Sequence, residues 1–150
     1  MSRLAVSDLE DVRVLLRAYA ASLPFDLDFQ DFDRELASLP GSYAPPDGAL
    51  LGVRAERGLA GCVALRRIDG DRGELKRLFV RPRQRGAGLG RALAVAAVAE
   101  ARRLGYRRLL LDTTPGMETA QTLYERLGFV ETEPYRHNPV AGTRFLELEL

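Results

Sequence analysis

Glu74 to Arg91 reads ELKRLFVRPRQRGAGLGR, and the rest of the chain is organised around this stretch. Its first half is rich in apolar residues typical of a strand, and Pro82, which cannot donate a ladder hydrogen bond, ends that strand. Glycines at positions 86, 88 and 90 let the backbone turn sharply with its N–H groups exposed. Since an alanine-rich helical segment follows, these groups lie at a helix N-terminus, which favours an anion. The stretch predicts a strand, an anion-binding turn and a helix.

The arginines beside this glycine turn (residues 83–91) indicate a phosphate or pyrophosphate ligand. Arg83 and Arg85 carry forked donors with a permanent charge. A P-loop is excluded because Arg91 stands at its second glycine position and no Lys follows. A dinucleotide fingerprint also needs Gly at 91 and normally opens a parallel βαβ domain. Asp112, about twenty residues after Gly90, keeps a dinucleotide-binding protein open as an alternative, as does a surface turn without a ligand.

Length and composition indicate one ordinary globular domain over residues 1–150. The chain is 46% apolar and 29% charged, a balance typical of globular proteins with a real core. No basic-then-apolar leader and no apolar run of membrane-spanning length is evident, so we expect a cytoplasmic protein without a membrane partner. Cys62 is the single cysteine and lies in an apolar run, which indicates burial. Because His137 is the single histidine, we expect no metal site.

Charge is segregated along the chain although the net charge is only +1. Residues 66–108 hold 13 Arg and Lys against 4 Asp and Glu, whereas the two flanks are each acidic by 4 charges. The basic middle favours a polyanion, and the acidic flanks favour a cation. Nucleic acid would need stacking aromatics between the arginines, and only Phe79 and Tyr106 lie there. We therefore expect no nucleic-acid partner.

Periodicity and turn residues predict a mixed α/β chain. Helical apolar spacing, caps and glycine stops define the helices, whereas alternation and short apolar runs define the strands. Residues 109–111 are predicted to run parallel to the central strand, because a right-handed helical crossover joins them. The predicted elements are a short strand at 3–6, helices at 7–23 and 29–39, hairpin strands at 49–55 and 61–68, the central strand, a helix at 89–104, a strand at 109–111, a helix from Thr114–Pro115 to Gly128, and strands at 129–133 and 143–150.

Two ordered motifs resemble the GNAT superfamily of N-acetyltransferases. Arg83, Gly86 and Gly88 match its acyl-CoA-binding pattern R/Q-x-x-G-x-G/A, and residues 120–129, AQTLYERLGF, match A-x-x-L-Y-x-x-x-G-F. The similarity covers essentially the whole chain. It implies a GNAT-like acyl-CoA N-acyltransferase fold, with an antiparallel meander followed by a βα cofactor-binding crossover. Met117 stands where the family often has Asn, so the contact of that Asn is not carried over.

The resemblance implies acetyl-CoA as cosubstrate and acetyl transfer to a primary amine of a small-molecule or peptide acceptor. Transfer is expected to be direct, since no activated Cys or Ser is evident. Backbone groups of Leu78, Phe79 and Val80 are expected to hold the pantetheine arm and polarise the carbonyl, and Arg126 is a candidate for the outer phosphate. The expected pyrophosphate-binding residues are Arg83, Gln84, Arg85, Gly86, Ala87, Gly88, Leu89, Gly90 and Arg91.

Tyr124 and Glu74 are the catalytic candidates by resemblance. A phenol with a pKa near 10 keeps a proton available for a thiolate of pKa about 8.5, which suits Tyr124 as general acid. Glu74, on the strand leading to the turn, corresponds to a carboxylate that takes the amine proton through water. A core tyrosine and a sheet-surface glutamate are the structural alternatives. Aromatic and histidine candidates for the acceptor site are Tyr19, Phe25, Tyr43, Tyr135 and His137.

Two other functions remain open from the sequence. A non-catalytic acyl-CoA-binding module would keep the glycine turn without turnover, and a dinucleotide-binding protein would use the same turn with Asp112. A homodimer agrees with the resemblance, and the alternating C-terminal strand, residues 143–150, offers an edge for pairing.

Overall fold

The computed structural model describes residues 1–27 and 31–150. Within them one mixed sheet has seven strands in the order β1-β2-β3-β4-β5-β7-β6. Only β4 and β5 pair in parallel, and the other neighbours are antiparallel. The mixed α/β fold with its leading meander confirms the predicted class. The strands are β1 (Ser2–Arg3), β2 (Ala49–Arg54), β3 (Leu59–Asp69), β4 (Arg72–Val80), β5 (Arg108–Thr113), β6 (Val130–Glu131) and β7 (Arg144–Glu149).

Helices cover both faces of the sheet. They are α1 (Leu9–Ser22), α2 (Phe32–Ser38), α3 (Leu89–Arg103) and α4 (Glu118–Arg126). Successive residues of β3 point to opposite faces, so Cys62 and Ala64 pack with α1 and α2, whereas Val63 and Leu65 pack with α3 and α4. Because both faces are buried, β3 reads as a continuous apolar run rather than an alternating one.

The parallel pair β4–β5 separates before either strand ends. Its register begins at Arg72↔Arg108 and stops at Glu74↔Leu110. Strand β4 then continues to Val80 and β5 to Thr113 without pairing to each other. The sheet is therefore open between the carboxyl ends of these two strands.

A β-bulge lies in the separated part of β4. Its register with β3 leaves Val63 opposite two residues, Arg77 and Leu78. Arg77 has φ +60°, a left-handed conformation that is uncommon for a residue with a side chain. Its guanidinium donates to both carboxylate oxygens of Glu35 on α2, at 2.8 and 2.9 Å. The bulge bends the strand and re-aims the Arg77 side chain, which pairs with Glu35. This ion pair stabilises the bend in β4 beside the opening.

Helix starts differ from the sequence prediction. Helix α4 begins at Glu118 and not at Thr114–Pro115, because Gly116 has φ +94° and interrupts the helix. Helix α1 begins at Leu9, after a short 3₁₀ turn over Val6–Asp8, so Ser7 is not its N-cap. The predicted start of α2 at position 29 lies outside the described residues.

The C-terminal strand is not the free edge that the sequence predicts. Strand β7 pairs with β5 at six positions. Its other side is covered at two positions by β6, through Val130↔Glu147 and Glu131↔Leu146. Since the chain returns after α4 to cover β7 in this way, the sheet gives no specific support to a homodimer through that strand.

Candidate functional site

The glycine turn forms an open cradle at the N-terminus of α3. Gly86 has φ +91° and Gly88, the N-cap, has φ +78°, conformations that glycine adopts without strain. A Cβ added at either position would meet no described protein atom within 4 Å. Helix geometry leaves the N–H groups of the first turn, from Leu89 to Arg91, without an intrahelical partner. The turn therefore has the donors and the space for a pyrophosphate.

The two arginines predicted beside the cradle have different surroundings. Arg85 donates from Nε to the carbonyl of Val80 at 3.0 Å, and its guanidinium lies 5.7 Å from the centre of the Phe79 ring. It therefore ties the turn to the end of β4. Arg83 is exposed in the short 3₁₀ turn that precedes the glycines. Arg126 is exposed in the last turn of α4.

A cavity of about 60 Å³ lies where β4 and β5 separate. Strands β4 and β5, helices α1 and α4, and the segments after α1, β5 and β6 all contribute to its lining. We call this space the β4–β5 cavity. Its lining includes Leu78 and Tyr124, two residues that the sequence predicts near the reacting groups. The polar residues of the lining include Lys76, Asp112, Thr113, Thr114 and Asn138.

Tyr124 lies on the wall of this cavity. Its ring packs on Phe129, 5.6 Å between centroids, and only 6% of the residue is exposed. Burial raises the pKa of Tyr124, and the nearby Tyr19 and Asp112 raise this pKa further. The phenol therefore keeps its proton throughout the neutral pH range. Tyr124 therefore lines the cavity with its hydroxyl protonated.

Glu74 lies outside the cavity lining and is fully buried. Its carboxylate accepts hydrogen bonds from Arg66 at 2.7 Å, from Arg136 at 2.6 Å and from the hydroxyl of Tyr135 at 2.6 Å. These three donors occupy most of its acceptor capacity. The contacts fix the loop that carries Tyr135 and Arg136 against the sheet.

Sequence reasoning missed several polar groups in the cavity. Asn138 donates from its amide to Asp112 at 3.1 Å. The hydroxyl of Thr114 is buried and has no hydrogen-bond partner among residues 1–27 and 31–150. Local sequence gave no signal for these side chains, because they meet only where a strand end, a turn and a late loop come together.

The five predicted acceptor-site residues do not all reach the cavity. Tyr19 and Phe25 line it. Tyr43 is 2% exposed and packs in the core under α1 and α2. Tyr135 is bound to Glu74, and His137 is exposed. The first helix and the segment after it therefore form the aromatic wall of the cavity.

Most acids of the two flanks lie away from the cavity, so chain-level charge does not describe it. Asp8 and Asp11 pair with Arg54, and Glu131 pairs with Arg144. Among the described acids, Asp112 is the carboxylate that lines the cavity, beside Lys76 and Arg77. The cavity lining is consequently not acidic, and the expected attraction of the acidic flanks for a cation stays a prediction.

Three other predictions concern a metal site, a membrane span and the single cysteine. Among the described residues no group of three or more His, Cys, Asp or Glu side chains is placed to hold a metal ion. No described helix is long and apolar enough to cross a membrane. Cys62 is fully buried, and burial raises the pKa of its thiol to about 12. A thiol in that state is a poor nucleophile.

Comparisons with known proteins agree with the fold. The model of the acetyltransferase (GNAT) family matches residues 12–129. An uncharacterised N-acetyltransferase of Schizosaccharomyces pombe is 41% identical over 145 residues, which cover 95% of this chain and 89% of the relative. The structure of PaiA N-acetyltransferase from Thermoplasma acidophilum in complex with coenzyme A superimposes with a TM-score of 0.74 over all of both chains, at 20% identity. An acetyltransferase of the GNAT family from Staphylococcus aureus superimposes with a TM-score of 0.80 at 19% identity, over 99% of this chain and 96% of that one.

Proposed function

The chain belongs to the GNAT family of acetyltransferases, whose general reaction is acetyl transfer from acetyl-CoA, and we propose that it acetylates a primary amine by direct transfer. The observation that carries this proposal is the β4–β5 cavity, which joins Tyr124 to the backbone of the β4 bulge. We assign the acyl donor to the α3–α4 side of this point and the amine to the α1 side. Direct attack then needs no acyl-enzyme.

Acetyl-CoA fits the groups beside the cavity. Its pyrophosphate is assigned to the N–H groups and open space of residues 86–91, with Arg83, Gln84 and Arg85 around it. The pantetheine arm is assigned to backbone groups of Leu78, Phe79 and Val80, which β5 leaves unpaired on that side. Arg126 is assigned to the outer phosphate, since it is exposed on the helix that carries Tyr124. The coenzyme A complex of the Thermoplasma structure supports a cofactor of this class.

The chemical step uses Tyr124 as general acid. As the amine nitrogen bonds to the thioester carbon, the C–S bond breaks and Tyr124 protonates the departing sulfur. We assign to backbone donors of the β4 bulge the stabilisation of the negative charge that develops on the carbonyl oxygen. Cys62 takes no part, because its thiol is buried and its pKa is raised.

Glu74 is assigned a positioning role instead of the role of base. Its carboxylate binds Arg66, Arg136 and Tyr135, and it does not line the cavity. Breaking these contacts to collect a proton would leave two partly buried arginine charges without their shared partner. We propose that Glu74 holds the late loop in place, so that Asn138 and Asp112 keep their places at the cavity.

The test combines binding and turnover. Calorimetry is expected to detect acetyl-CoA binding and no NADH binding, and a thiol-release assay with a panel of primary amines is expected to detect turnover. Binding without release for any amine would instead identify a non-catalytic acyl-CoA-binding module. The dinucleotide alternative has no structural support, because a mainly antiparallel sheet replaces the parallel βαβ domain that it requires.

A further inference from the structure

Lys76 is the single lysine of this chain, in which 22 residues are Lys or Arg. Every other basic position is arginine, so where the protein needs only a positive charge it uses a guanidinium. Arginine does not lose its proton in proteins, whereas a buried lysine changes its pKa readily and can act as a base. A lone lysine in such a chain indicates a position where a removable proton matters.

The structure places this lysine at the proposed reaction centre. Lys76 is 6% exposed and lines the β4–β5 cavity together with Tyr124 and Asp112. It directly precedes the bulge residues Arg77 and Leu78, whose backbone is assigned to the thioester. An acceptor amine that attacks the thioester must therefore pass close to Lys76.

Two carboxylates near Lys76 also accept hydrogen bonds from other residues. Glu74 on the same strand accepts from Arg66 and Arg136, and Asp112 on β5 accepts from Asn138. Within residues 1–27 and 31–150, the charged and titratable groups that face this region are Glu74, Arg77, Arg66 and Asp112, with Tyr19 and Tyr124 on the cavity wall.

Burial is the largest influence on this amine and lowers the pKa of Lys76 from its ordinary value. Glu74 and Asp112 oppose the change, whereas Arg77 and Arg66 act in the same direction as burial. A lowered pKa makes the neutral amine available nearer to neutral pH, which is what a base requires.

We propose that Lys76 is the catalytic base that removes a proton from the acceptor ammonium group, an assignment that rests on the proposed acetyl transfer. Neutral Lys76 takes one proton and leaves a neutral amine. That amine forms the new C–N bond as the C–S bond breaks, and Tyr124 supplies the proton for the leaving thiolate. The second amine proton restores Tyr124, and the proton on Lys76 leaves to solvent. The reaction therefore releases one amide, one free thiol and one proton for each ammonium consumed.

The single lysine permits a direct measurement on the wild-type protein. Protein made with ¹³Cε-labelled lysine has one side-chain resonance, which Lys76→Arg must remove. Titration of that resonance is expected to give a pKa below the ordinary lysine value of about 10.4. A value at or above it would overturn the proposal, whatever the activity of any variant.

Two substitutions separate a base from a simple charge. Lys76→Arg keeps the charge and cannot act as base, so its kcat is expected to fall on the order of 100-fold or more, with acetyl-CoA affinity within about threefold of wild type. Lys76→Met is expected to lose a similar factor. In wild type the rate is expected to rise with pH, with a midpoint at the pKa measured for Lys76 in the complex with acetyl-CoA. Both variants should lose this rise of the rate with pH.

The failures of the two proposals are distinguishable. An active wild-type enzyme whose Lys76→Arg variant keeps its rate and pH profile would overturn the role of Lys76 and leave the acetyl transfer intact. Absence of thiol release from the wild type with any amine would instead contradict the proposed function itself. Arg107→Met, at an exposed position far from the cavity, is the control for removal of a basic side chain, and thermal melts check the fold of each variant.

Discussion

The glycine turn and the β4–β5 cavity are built in opposite ways. The turn is a continuous stretch in which nine neighbouring residues supply N–H donors, space and charge by local backbone conformation. The cavity takes its lining from α1, β4, β5, α4 and the segments after α1, β5 and β6, and its groups are far apart in sequence. The proposed cofactor site is therefore local in sequence, whereas the proposed reaction centre depends on tertiary packing.

Tyr124→Phe is expected to have the largest effect on turnover. Phenylalanine keeps the ring packing on Phe129 and removes the proton donor. We expect kcat to fall by about 10²- to 10⁴-fold, with acetyl-CoA affinity and thermal stability nearly unchanged. Single-turnover acetyl transfer measured across pH tests this prediction.

The matched control is Tyr106→Phe, which removes another largely buried hydroxyl, bound to the carbonyl of Asp47 at 2.5 Å. It should cost about 1 kcal/mol of stability and leave turnover within a fewfold. If the two variants behave alike, Tyr124 has no chemical role, and the cavity is not the reaction centre.

Gly88→Val is expected to weaken acetyl-CoA binding by about 100-fold, equivalent to about 2.8 kcal/mol. A β-branched side chain at φ +78° is strained and would also occupy the space assigned to the pyrophosphate. Calorimetry with acetyl-CoA measures the loss.

Gly105→Val is a close control, because Gly105 has φ +91° and open space at the other end of α3. It carries a similar backbone strain of about 1–2 kcal/mol and should leave acetyl-CoA affinity unchanged. Equal affinities of both variants and wild type would break the assignment of the cradle.

Glu74→Gln tests whether a buried carboxylate beside the cavity is structural or chemical. Removing the charge leaves Arg66 and Arg136 without their shared partner, so we expect a loss of about 3 kcal/mol in unfolding free energy. The KM for the acceptor should rise, while kcat changes only a fewfold and its pH profile keeps the same shape.

Asp69→Asn provides the comparison for an exposed ion pair, with Arg72, and should leave the free energy of unfolding nearly unchanged. A kcat loss on the order of 100-fold in Glu74→Gln, with loss of the rising pH limb, would restore Glu74 as base and contradict the assignment of Lys76.

The sequence by itself determined the parts of this protein that rest on local rules. Left-handed backbone at positions 86 and 88 requires glycine, and Gly128 stops α4, so the turn and the presence of the helices followed from residue type and spacing. The family followed from the resemblance of two ordered motifs. The apolar run of β3 and the parallel β5 also followed, because burial on both faces leaves a continuous apolar pattern.

Only the tertiary structure decided what the charged residues of β4 do. Glu74 and Lys76 are two positions apart on one strand, yet one is enclosed by Arg66, Arg136 and Tyr135, whereas the other lines the cavity. Their sequence neighbours do not encode this difference, since it depends on where β4 leaves β5 and on a loop some sixty residues later. The environment of a charge is set by distant chain segments, and therefore its chemistry becomes visible only in the folded molecule.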